Sequence, residues 1–259
     1  MTAKLQLVNV TKVFRKQNSL FTALEGVTLD FPDHSFVSIV GPSGCGKTTI
    51  LRMCVGLLEP SKGEVLFQGK PLRGINNQIG YVTQDHNLYP WMTLLDNVAF
   101  PLEARGVRKE ERYERARRFI KMVGLEGFEQ SYPSQLSGGM QKRGSIVRTL
   151  VYDPEVIMMD EPFGALDAQT RMILQQELLD LWDERRKTVI FITHDLAEAI
   201  ALSDKVVVMG KNPGHVIQVY DIPLPRPRDV FSLQETDEFH EVFQIIWRHF
   251  KDEMRTRAI

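Results

Sequence analysis

The sequence is poor in cysteine, in long apolar runs and in net charge. Its two cysteines, Cys45 and Cys54, have no second Cys or His cluster at metal-ligand spacing, which argues against a disulfide scaffold and a zinc site. No apolar run approaches the roughly 20 residues that cross a bilayer, and the start, MTAKLQLVNVTKVF, lacks the pattern of a secretory signal. Lys and Arg number 32 against 33 Asp and Glu among the 259 residues, which does not favour nucleic-acid binding. We therefore expect a globular, cytoplasmic protein.

Apolar patterning predicts an α/β fold. Residues 4–10 and 27–31 alternate apolar and polar side chains, which is typical of edge or antiparallel strands. Residues 35–40, 155–160 and 188–193 are nearly continuous apolar runs, as expected for parallel strands covered on both faces of a central sheet. Amphipathic helices are predicted at 110–123, 140–151 and 168–186.

The pattern changes along the chain and predicts several parts. Residues 1–85 and 152–221 contain the predicted strands and form an α/β core with an antiparallel part. Residues 86–151 are mostly helical, hold no strand of the buried type, and predict an inserted helical lobe. After two more predicted strands, DKVVVMG and HVIQVYD, the prolines of IPLPRPRD forbid regular pairing and mark a linker. Residues 222–259 are thus a C-terminal linker and a last helix, whose apolar face we expect to pack on the chain's own core rather than on a partner.

Residues 41–49, GPSGCGKTT, fit the phosphate-binding pattern G-x-x-x-x-G-K-[ST] and are called the phosphate loop below. A buried strand leads in and an apolar helical stretch leads out, so backbone N–H groups at a helix start can converge on phosphate oxygens. Lys47 would neutralise charge on the β and γ phosphates, and the Thr48 hydroxyl would complete a magnesium site. Cys45 fills a variable position, where we expect a loop residue with no redox role. The predicted nucleotide-binding residues are Gly41, Pro42, Ser43, Gly44, Cys45, Gly46, Lys47, Thr48 and Thr49.

Two adjacent carboxylates, Asp160 and Glu161, come directly after the buried run VIMM. Two acids at a dry strand end are costly unless cations or a reaction use them. Beside a phosphate loop, they predict that Asp160 holds magnesium, indirectly or through water, and that Glu161 accepts a proton from the water that attacks the γ phosphate. Pro162 then ends the strand.

LSGGMQKR, residues 136–143, places a serine and two glycines at the start of a helix, which makes a second anion-ready helix N-terminus. One nucleotide cannot need two distant phosphate cradles in the same molecule. We therefore predict that Ser137, Gly138 and Gly139, the signature segment, bind the nucleotide held by a second copy of the chain.

The order of these motifs resembles that of the ATP-binding subunits of ABC transporters. The phosphate loop is followed by Gln84 in YVTQD, then by LSGGM, MMDEP, GALD (164–167) and His194 in FITHD, and the resemblance covers about residues 4–220. It implies an α/β P-loop NTPase fold with a RecA-like mixed sheet, an antiparallel β subdomain and an inserted helical subdomain. It also implies an ATPase with ATP and Mg²⁺ as its cofactors.

The resemblance implies roles for further residues. Gln84 matches the glutamine that joins the sheet to the helical lobe and senses magnesium and the attacking water, and His194 matches the histidine that contacts the γ phosphate. Asp167 resembles a residue that communicates between two nucleotide sites, and it is also placed to cap the following helix. Phe14 falls where the family stacks an aromatic ring on adenine, with Phe21 or plain core packing as alternatives. The implied catalytic residues are Lys47, Gln84, Glu161 and His194, and the implied metal ligands are Thr48, Gln84 and Asp160.

The sequence departs from the family pattern at two further positions. Met140 replaces the more usual glutamine after LSGG, and Gly144 interrupts the following helix at a cost of about 1 kcal/mol relative to alanine. Neither change removes a phosphate donor. Gly144 would also permit close packing against a neighbouring element.

Two segments, 87–107 and 212–229, resemble the nitrate, sulfonate and taurine import branch of the family. This resemblance implies a homodimer, peripheral on the cytoplasmic face of the cell (inner) membrane, that binds transmembrane permease subunits. It also implies an indirect partner, a periplasmic or extracellular solute-binding protein. The transported solute cannot be read from the sequence. The apolar side chains that would receive the permease are Tyr89, Pro90, Trp91 and Met92, with ordinary packing inside the lobe as the alternative.

Two other classes of function compete with transport. An ABC-type ATPase of DNA repair would carry long coiled coils, and a ribosomal one would carry two cassettes in one chain, whereas this sequence has neither heptads nor a repeat. A nucleotide-binding regulator without catalysis is disfavoured because every expected catalytic position is filled.

Overall fold

Two β-sheets and the helices around them make up the protein, shown by a computed structural model that describes residues 3–16, 19–85, 87–164 and 166–255. The strands are β1 (Ala3–Lys16), β2 (Ser19–Pro32), β3 (Phe36–Val40), β4 (Lys62–Phe67), β5 (Lys70–Pro71), β6 (Ile79–Val82), β7 (Val156–Asp160), β8 (Thr188–Thr193), β9 (Lys205–Gly210) and β10 (His215–Asp221). The helices are α1 (Lys47–Cys54), α2 (Leu94–Glu103), α3 (Lys109–Met122), α4 (Gly138–Leu150), α5 (Ala168–Arg185), α6 (Leu196–Leu202), α7 (Val230–Leu233) and α8 (Asp237–Arg255), with a 3-10 turn at Pro133–Gln135.

The smaller sheet is antiparallel, with the strand order β2-β1-β4-β5. It confirms that 4–10 and 27–31 are antiparallel strands, but both strands extend well beyond these limits. The pairing of β1 with β2 shifts register between Leu7 and Val10 and again between Val10 and Lys12. Such bulges interrupt the two-residue alternation of side chains, so the sequence pattern revealed only part of each strand.

The larger sheet has the strand order β10-β9-β3-β8-β7-β6. The three apolar runs predicted as central strands are β3, β8 and β7, which are adjacent, parallel and buried at every residue. Strand β10 pairs antiparallel with β9 at one edge, so the sheet is mixed. The apolar pattern of the sequence does not reveal β4, β5 and β6. Strand β6 has four residues, and a Cβ on its Gly80 would lie 2.7 Å from Thr149 Cγ2, so close packing against α4 requires a residue that weakens the strand pattern.

Helices α3, α4 and α5 confirm the predicted helices to within two residues at each end. Helix α2, which the sequence analysis did not separate, contacts both α3 and α4. A Cβ on Gly144 of α4 would lie 2.7 Å from Leu94 Cδ1 at the start of α2. The glycine in the middle of α4 therefore permits the close approach of these two helices.

The buried side chains form three clusters in the described part of the chain. One joins helices α2 to α5 to a face of the larger sheet, and its aromatic rings Phe36, Trp182 and Phe191 lie in contact. A second lies between the two sheets and includes α1. The third joins α6 and β9 to α8, which buries Phe239 and Ile246 against them. This packing confirms that the last helix covers the chain's own core.

The proline-rich linker after β10 is fastened to the end of α6. The buried guanidinium of Arg228 donates hydrogen bonds to the carbonyls of Ile200, Ala201 and Ser203 at 3.2, 3.1 and 2.8 Å. The neighbouring Arg226 donates to one more carbonyl of this helix, at 2.7 Å. These bonds satisfy carbonyl groups that a helix C-terminus leaves without partners. Within the described ranges, no helix combines the length and the apolar character needed to span a bilayer.

Candidate functional site

Four parallel strands end at the same edge of the larger sheet. Strands β3, β8, β7 and β6 lie side by side in this order, and each of the three pairings is parallel. Gly41 follows β3, and His194 follows β8. Glu161 follows β7, and Gln84 lies two residues after β6. Because the carboxyl ends of parallel strands share one edge, the topology brings these four predicted residues to one side of the sheet.

The phosphate loop depends on glycine at defined positions. Gly46 precedes α1 with a φ of 95°, and a Cβ there would lie 2.5 Å from Leu24 Cδ2. A Cβ on Gly41 would lie 2.8 Å from Cys45 Sγ. Among the described residues, no side chain caps the start of α1. Its first N–H groups are therefore available to an anion that approaches along the helix axis.

The side chain of Lys47 folds back over the first residues of the phosphate loop. Its buried ammonium donates to Gly41 O at 2.7 Å and to Pro42 O at 3.2 Å. Cys45 and Cys54 are buried free thiols, and burial raises the pKa of both. Since a reactive cysteine needs exposure and a lowered pKa, Cys45 has the properties of a loop residue.

Asp160 and Thr48, two of the residues predicted to hold magnesium, are joined by a hydrogen bond. The Thr48 hydroxyl donates to Asp160 Oδ1 at 3.2 Å, and the Tyr81 hydroxyl donates to Asp160 Oδ2 at 3.3 Å. Burial raises the pKa of Asp160 above its ordinary value, against the lowering effect of these two hydrogen bonds. A hydroxyl and a buried carboxylate at hydrogen-bond distance are hard oxygen donors, so the residues present fit Mg²⁺. The sequence analysis missed Tyr81, a polar residue in the short strand β6.

Glu161 and His194 lie together at the edge of the sheet. Glu161 Oε2 is 3.3 Å from His194 Nδ1. The φ of Glu161 is 44°, in the left-handed region that residues other than glycine seldom adopt, and its N–H donates to Ile192 O at 3.0 Å. Backbone strain of this kind persists only where the surrounding structure enforces it, and it is concentrated at functional sites.

The signature segment lies at the start of α4. Ser137 precedes the helix, and its hydroxyl accepts a hydrogen bond from the Met140 N–H at 3.3 Å. Ser137 and Gly138 are exposed, and a Cβ on Gly139 would lie 3.3 Å from Thr170 Cγ2 of α5. No hydrogen bond joins this segment to residues 41–49 among the described residues. The start of α4 is therefore open to a second molecule.

The side chain of Gln84 is exposed, but the backbone carbonyls of Thr83 and Gln84 are hydrogen-bonded to a residue of α4. The Lys142 ammonium donates to Thr83 O at 2.8 Å and to Gln84 O at 2.9 Å. Burial lowers the pKa of Lys142 to about 8, although the nearby Asp85 and Asp160 act in the opposite direction. The sequence does not predict this contact, because a cation inside LSGGMQKR is its sole local sign.

Asp167 caps α5, as one of its two predicted roles required. Its side chain accepts the Thr170 N–H at 2.9 Å, and this hydrogen bond lowers the pKa of Asp167. Ala165 of the GALD motif lies outside the described residues.

On the β1–β2 hairpin, Phe14 and Phe21 are directly opposite in register and 37% and 54% exposed. Both rings lie on one face of the hairpin and outside the buried clusters, so plain core packing was the wrong alternative.

The loop before α2 presents part of the predicted apolar surface. The buried Asn97 amide donates to Tyr89 O and Met92 O, both at 3.1 Å, and its oxygen accepts the Tyr89 N–H at 2.7 Å. Tyr89 and Met92 are half-buried, while Trp91 stacks on Tyr89 and is 70% exposed. Asn97 thus fixes a loop in which two side chains pack within the protein and Trp91 projects from it.

A buried carboxyl lines the same small cavity as Glu161 and His194. Glu198 of α6 is 6% exposed and accepts a hydrogen bond from Gln175 Nε2 of α5 at 2.8 Å. The N-terminus of α6 is capped by Asp195, whose side chain accepts the Ala197 and Glu198 N–H groups at 2.9 and 3.2 Å. The helix that follows His194 is therefore fixed at its start by Asp195 and at Glu198 by the hydrogen bond from α5.

A phosphate loop between a strand and a helix, with carboxylates at the end of the next strand but one in the same parallel sheet, defines a P-loop nucleoside triphosphatase. The chain matches the ABC transporter family over residues 24–164. It is 50% identical over 254 residues to an uncharacterised ABC transporter ATP-binding protein of Methanocaldococcus jannaschii, a match that covers 98% of this chain and 94% of the relative. It is 38% identical over 242 residues to an aliphatic sulfonates import ATP-binding protein of Bacillus cereus, with 93% and 94% covered.

A solved dimeric structure shows the same fold. This ATP-binding cassette, in a post-hydrolysis state bound to ADP and Pi, is 34% identical, has a TM-score of 0.77, and is matched over 85% of this chain and 100% of that chain. The chain belongs to the ABC transporter family as an ATP-binding subunit, and it is an ATPase. These findings confirm the predicted fold class, ATP binding and ATP hydrolysis.

The buried Glu198 makes the stability of the protein depend on pH. Burial raises the pKa of Glu198 from 4.5 to about 6, so the folded chain holds this proton more tightly than the unfolded chain. Its contribution to stability is therefore fully present below about pH 4.5 and is lost as the pH rises through about 6, a difference of about 2 kcal/mol. Glu198→Gln keeps an acceptor for Gln175 but removes the titration.

Urea unfolding between pH 4 and 7 tests this effect. The unfolding free energy of Glu198→Gln, relative to the parent, should rise by about 2 kcal/mol across this interval. The control is Glu184→Gln at an exposed position of α5. Equal pH profiles for the two variants would contradict the assignment.

Proposed function

We propose that two copies of this chain close face to face around two ATP molecules, hydrolyse them, and reopen. The observation that carries this proposal is the presence of two anion-ready helix starts in one chain. The phosphate loop lies at the sheet edge with Glu161 and His194, whereas the signature segment is exposed at the start of α4. Each site would combine the phosphate loop of one chain with the signature segment of the other. The dimeric relative supports this arrangement.

The residues of one chain would hold the triphosphate and its metal ion. The N–H groups at the start of α1 and the Lys47 ammonium bind the β and γ phosphates. The Thr48 hydroxyl and the Asp160 carboxylate, with the Gln84 side chain, would hold Mg²⁺, which when bound neutralises charge on the phosphate oxygens. The exposed Phe14, with Phe21 beside it, provides the surface on which adenine stacks.

Glu161 and His194 would act on the γ phosphate. The Glu161 carboxylate takes a proton from the attacking water, whose oxygen bonds to the γ phosphorus as the bond to the β–γ bridging oxygen breaks. His194, 3.3 Å from this carboxylate, would contact the γ phosphate. The products are ADP and phosphate.

The cycle of closing and reopening would drive import of a small organic or inorganic anion, of the nitrate, sulfonate or taurine kind. The relative in Bacillus cereus, whose name specifies aliphatic sulfonate import, supports this solute class. An ABC-type ATPase that is not coupled to transport is not favoured, because the chain belongs to a transporter family.

The protein would lie on the cytoplasmic face of the membrane, against permease subunits that a solute-binding protein loads. The helical lobe, 86–151, would receive the permease on the surface around Trp91, and the core, 1–85 with 152–221, would bind ATP. Residues 222–259 would form the C-terminal part.

Exchange of Glu161 tests the hydrolytic mechanism. Glu161→Gln should lower the rate of ATP hydrolysis at least about 100-fold, because a positioned general base contributes a factor of that size. The affinity for ATP, measured by calorimetry, should change less than about threefold, since this residue stabilises the transition state more than the bound nucleotide. Glu184→Gln, at an exposed position of α5, is the control. Hydrolysis at the parental rate would show that Glu161 is not the base.

Exchange of Trp91 tests the permease surface. The tagged chain should be recovered from detergent-solubilised membranes of its own cells together with a protein that spans the membrane several times. Trp91→Ala should reduce this recovery at least about tenfold, because an exposed tryptophan at an interface contributes about 2 kcal/mol or more. Trp247→Ala, at an exposed position of α8, should leave it unchanged. Equal recovery with both variants would contradict the docking surface.

A further inference from the structure

A buried lysine of α4 spans the gap between this helix and the loop after β6. Lys142 is 2% exposed, and its ammonium donates to Thr83 O at 2.8 Å and Gln84 O at 2.9 Å. An ammonium taken out of water is costly unless hydrogen-bond partners replace the water. The two carbonyls meet this requirement, so the side chain is held in one place and holds the loop in turn.

The loop that Lys142 holds is tied at further points. The Thr83 hydroxyl donates to Asp85 O at 3.0 Å and accepts a hydrogen bond from Asn87 Nδ2 at 2.6 Å. A second cation of α4, Arg148, donates to Asn87 O at 2.6 Å. Helix α4 therefore holds the chain after β6 at two places, which are residues 83–85, called the Gln84 loop below, and Asn87.

The two ends of the Lys142 contact belong to different half-sites. Gln84 follows β6, at the same edge of the sheet as the phosphate loop of its own chain, which follows β3. Lys142 follows Gly138 of the signature segment by four residues, about one helical turn. A single buried side chain thus joins the residue that would report on one nucleotide to the helix that would bind the other.

We propose that Lys142 is a positioning residue that makes the Gln84 loop and the signature segment move as one unit. A displacement of Gln84 by ATP in one site then shifts Ser137 to Gly139 of the same chain in the opposite site. The proposal rests on the composite sites of the proposed function. It gives Lys142 a role in communication between the sites and none in contact with ATP.

Lys142→Met tests this role, because methionine has a similar length and apolar stem but no donors. The turnover number should fall at least tenfold, since a small misplacement of catalytic groups has effects of about this size or larger. The KM for ATP and the dissociation constant should change less than about threefold, because phosphate-binding donors are untouched. The Hill coefficient for ATP should fall to 1 from a parental value above 1. Lys142→Gln, which keeps amide donors, should give an intermediate turnover.

Arg143→Met is the matched control. Arg143 is the next residue of α4 and also donates to a backbone carbonyl, Val123 O at 3.0 Å, but this acceptor follows α3 and lies away from the Gln84 loop. Its loss should lower the melting temperature without changing the Hill coefficient. If Lys142→Met does not fold, the same comparison is made with Lys142→Gln.

The outcomes distinguish a failure of the coupling role of Lys142 from a failure of the composite sites. A parental Hill coefficient of 1 with a specific rate independent of protein concentration would overturn the composite sites, and the coupling role with them. A cooperative parent whose Lys142 variants keep its turnover number and Hill coefficient would overturn the role of Lys142 alone. Equal losses in the Lys142 and Arg143 variants would also overturn it, since they would indicate a purely structural contribution.

Discussion

The parallel hydrogen-bonded pairing of β3, β8, β7 and β6 is the constraint on which the site depends. Its register sets Val40 opposite Thr193 and Asp160 opposite Ile192, so the strands end at nearly the same level. Three of the four predicted catalytic residues, Gln84, Glu161 and His194, then follow a strand end within two residues, and the fourth, Lys47, begins the helix after β3. The chemistry of the site needs no long loop to assemble it, because pairing between strands far apart in sequence already places the groups side by side.

Buried charged side chains with hydrogen-bond partners fix the positions of groups at this edge of the sheet. Lys47, Asp160, Lys142 and Glu198 are all buried, and each has hydrogen-bond partners within the protein. A buried charge tolerates few alternative positions, because moving it from its partners leaves an uncompensated charge in a poorly solvated place. The groups around the nucleotide site are therefore held by electrostatics as well as by the sheet.

The parts of the fold and site that could be predicted have local signals. The run FVSIV of β3, the helix after Asp167 and the phosphate loop are each recognisable within about ten residues, as sequence patterns require. The extent of β1 and the short strand β6 could not be predicted, because bulges and Gly80 disrupt the alternation. The Lys142 contact joins residues 59 positions apart, and only the folded chain shows it.

The proposed ATPase requires that two copies complete each other's sites. Sedimentation velocity of Glu161→Gln with Mg-ATP measures this association. We expect a particle of twice the chain mass with nucleotide and a single chain without it. Adding Ser137→Arg to the same variant should abolish the dimer while ATP still binds, because the side chain blocks the signature segment. A dimer that persists with Ser137→Arg, or a particle mass that is the same with and without ATP, would contradict the composite sites.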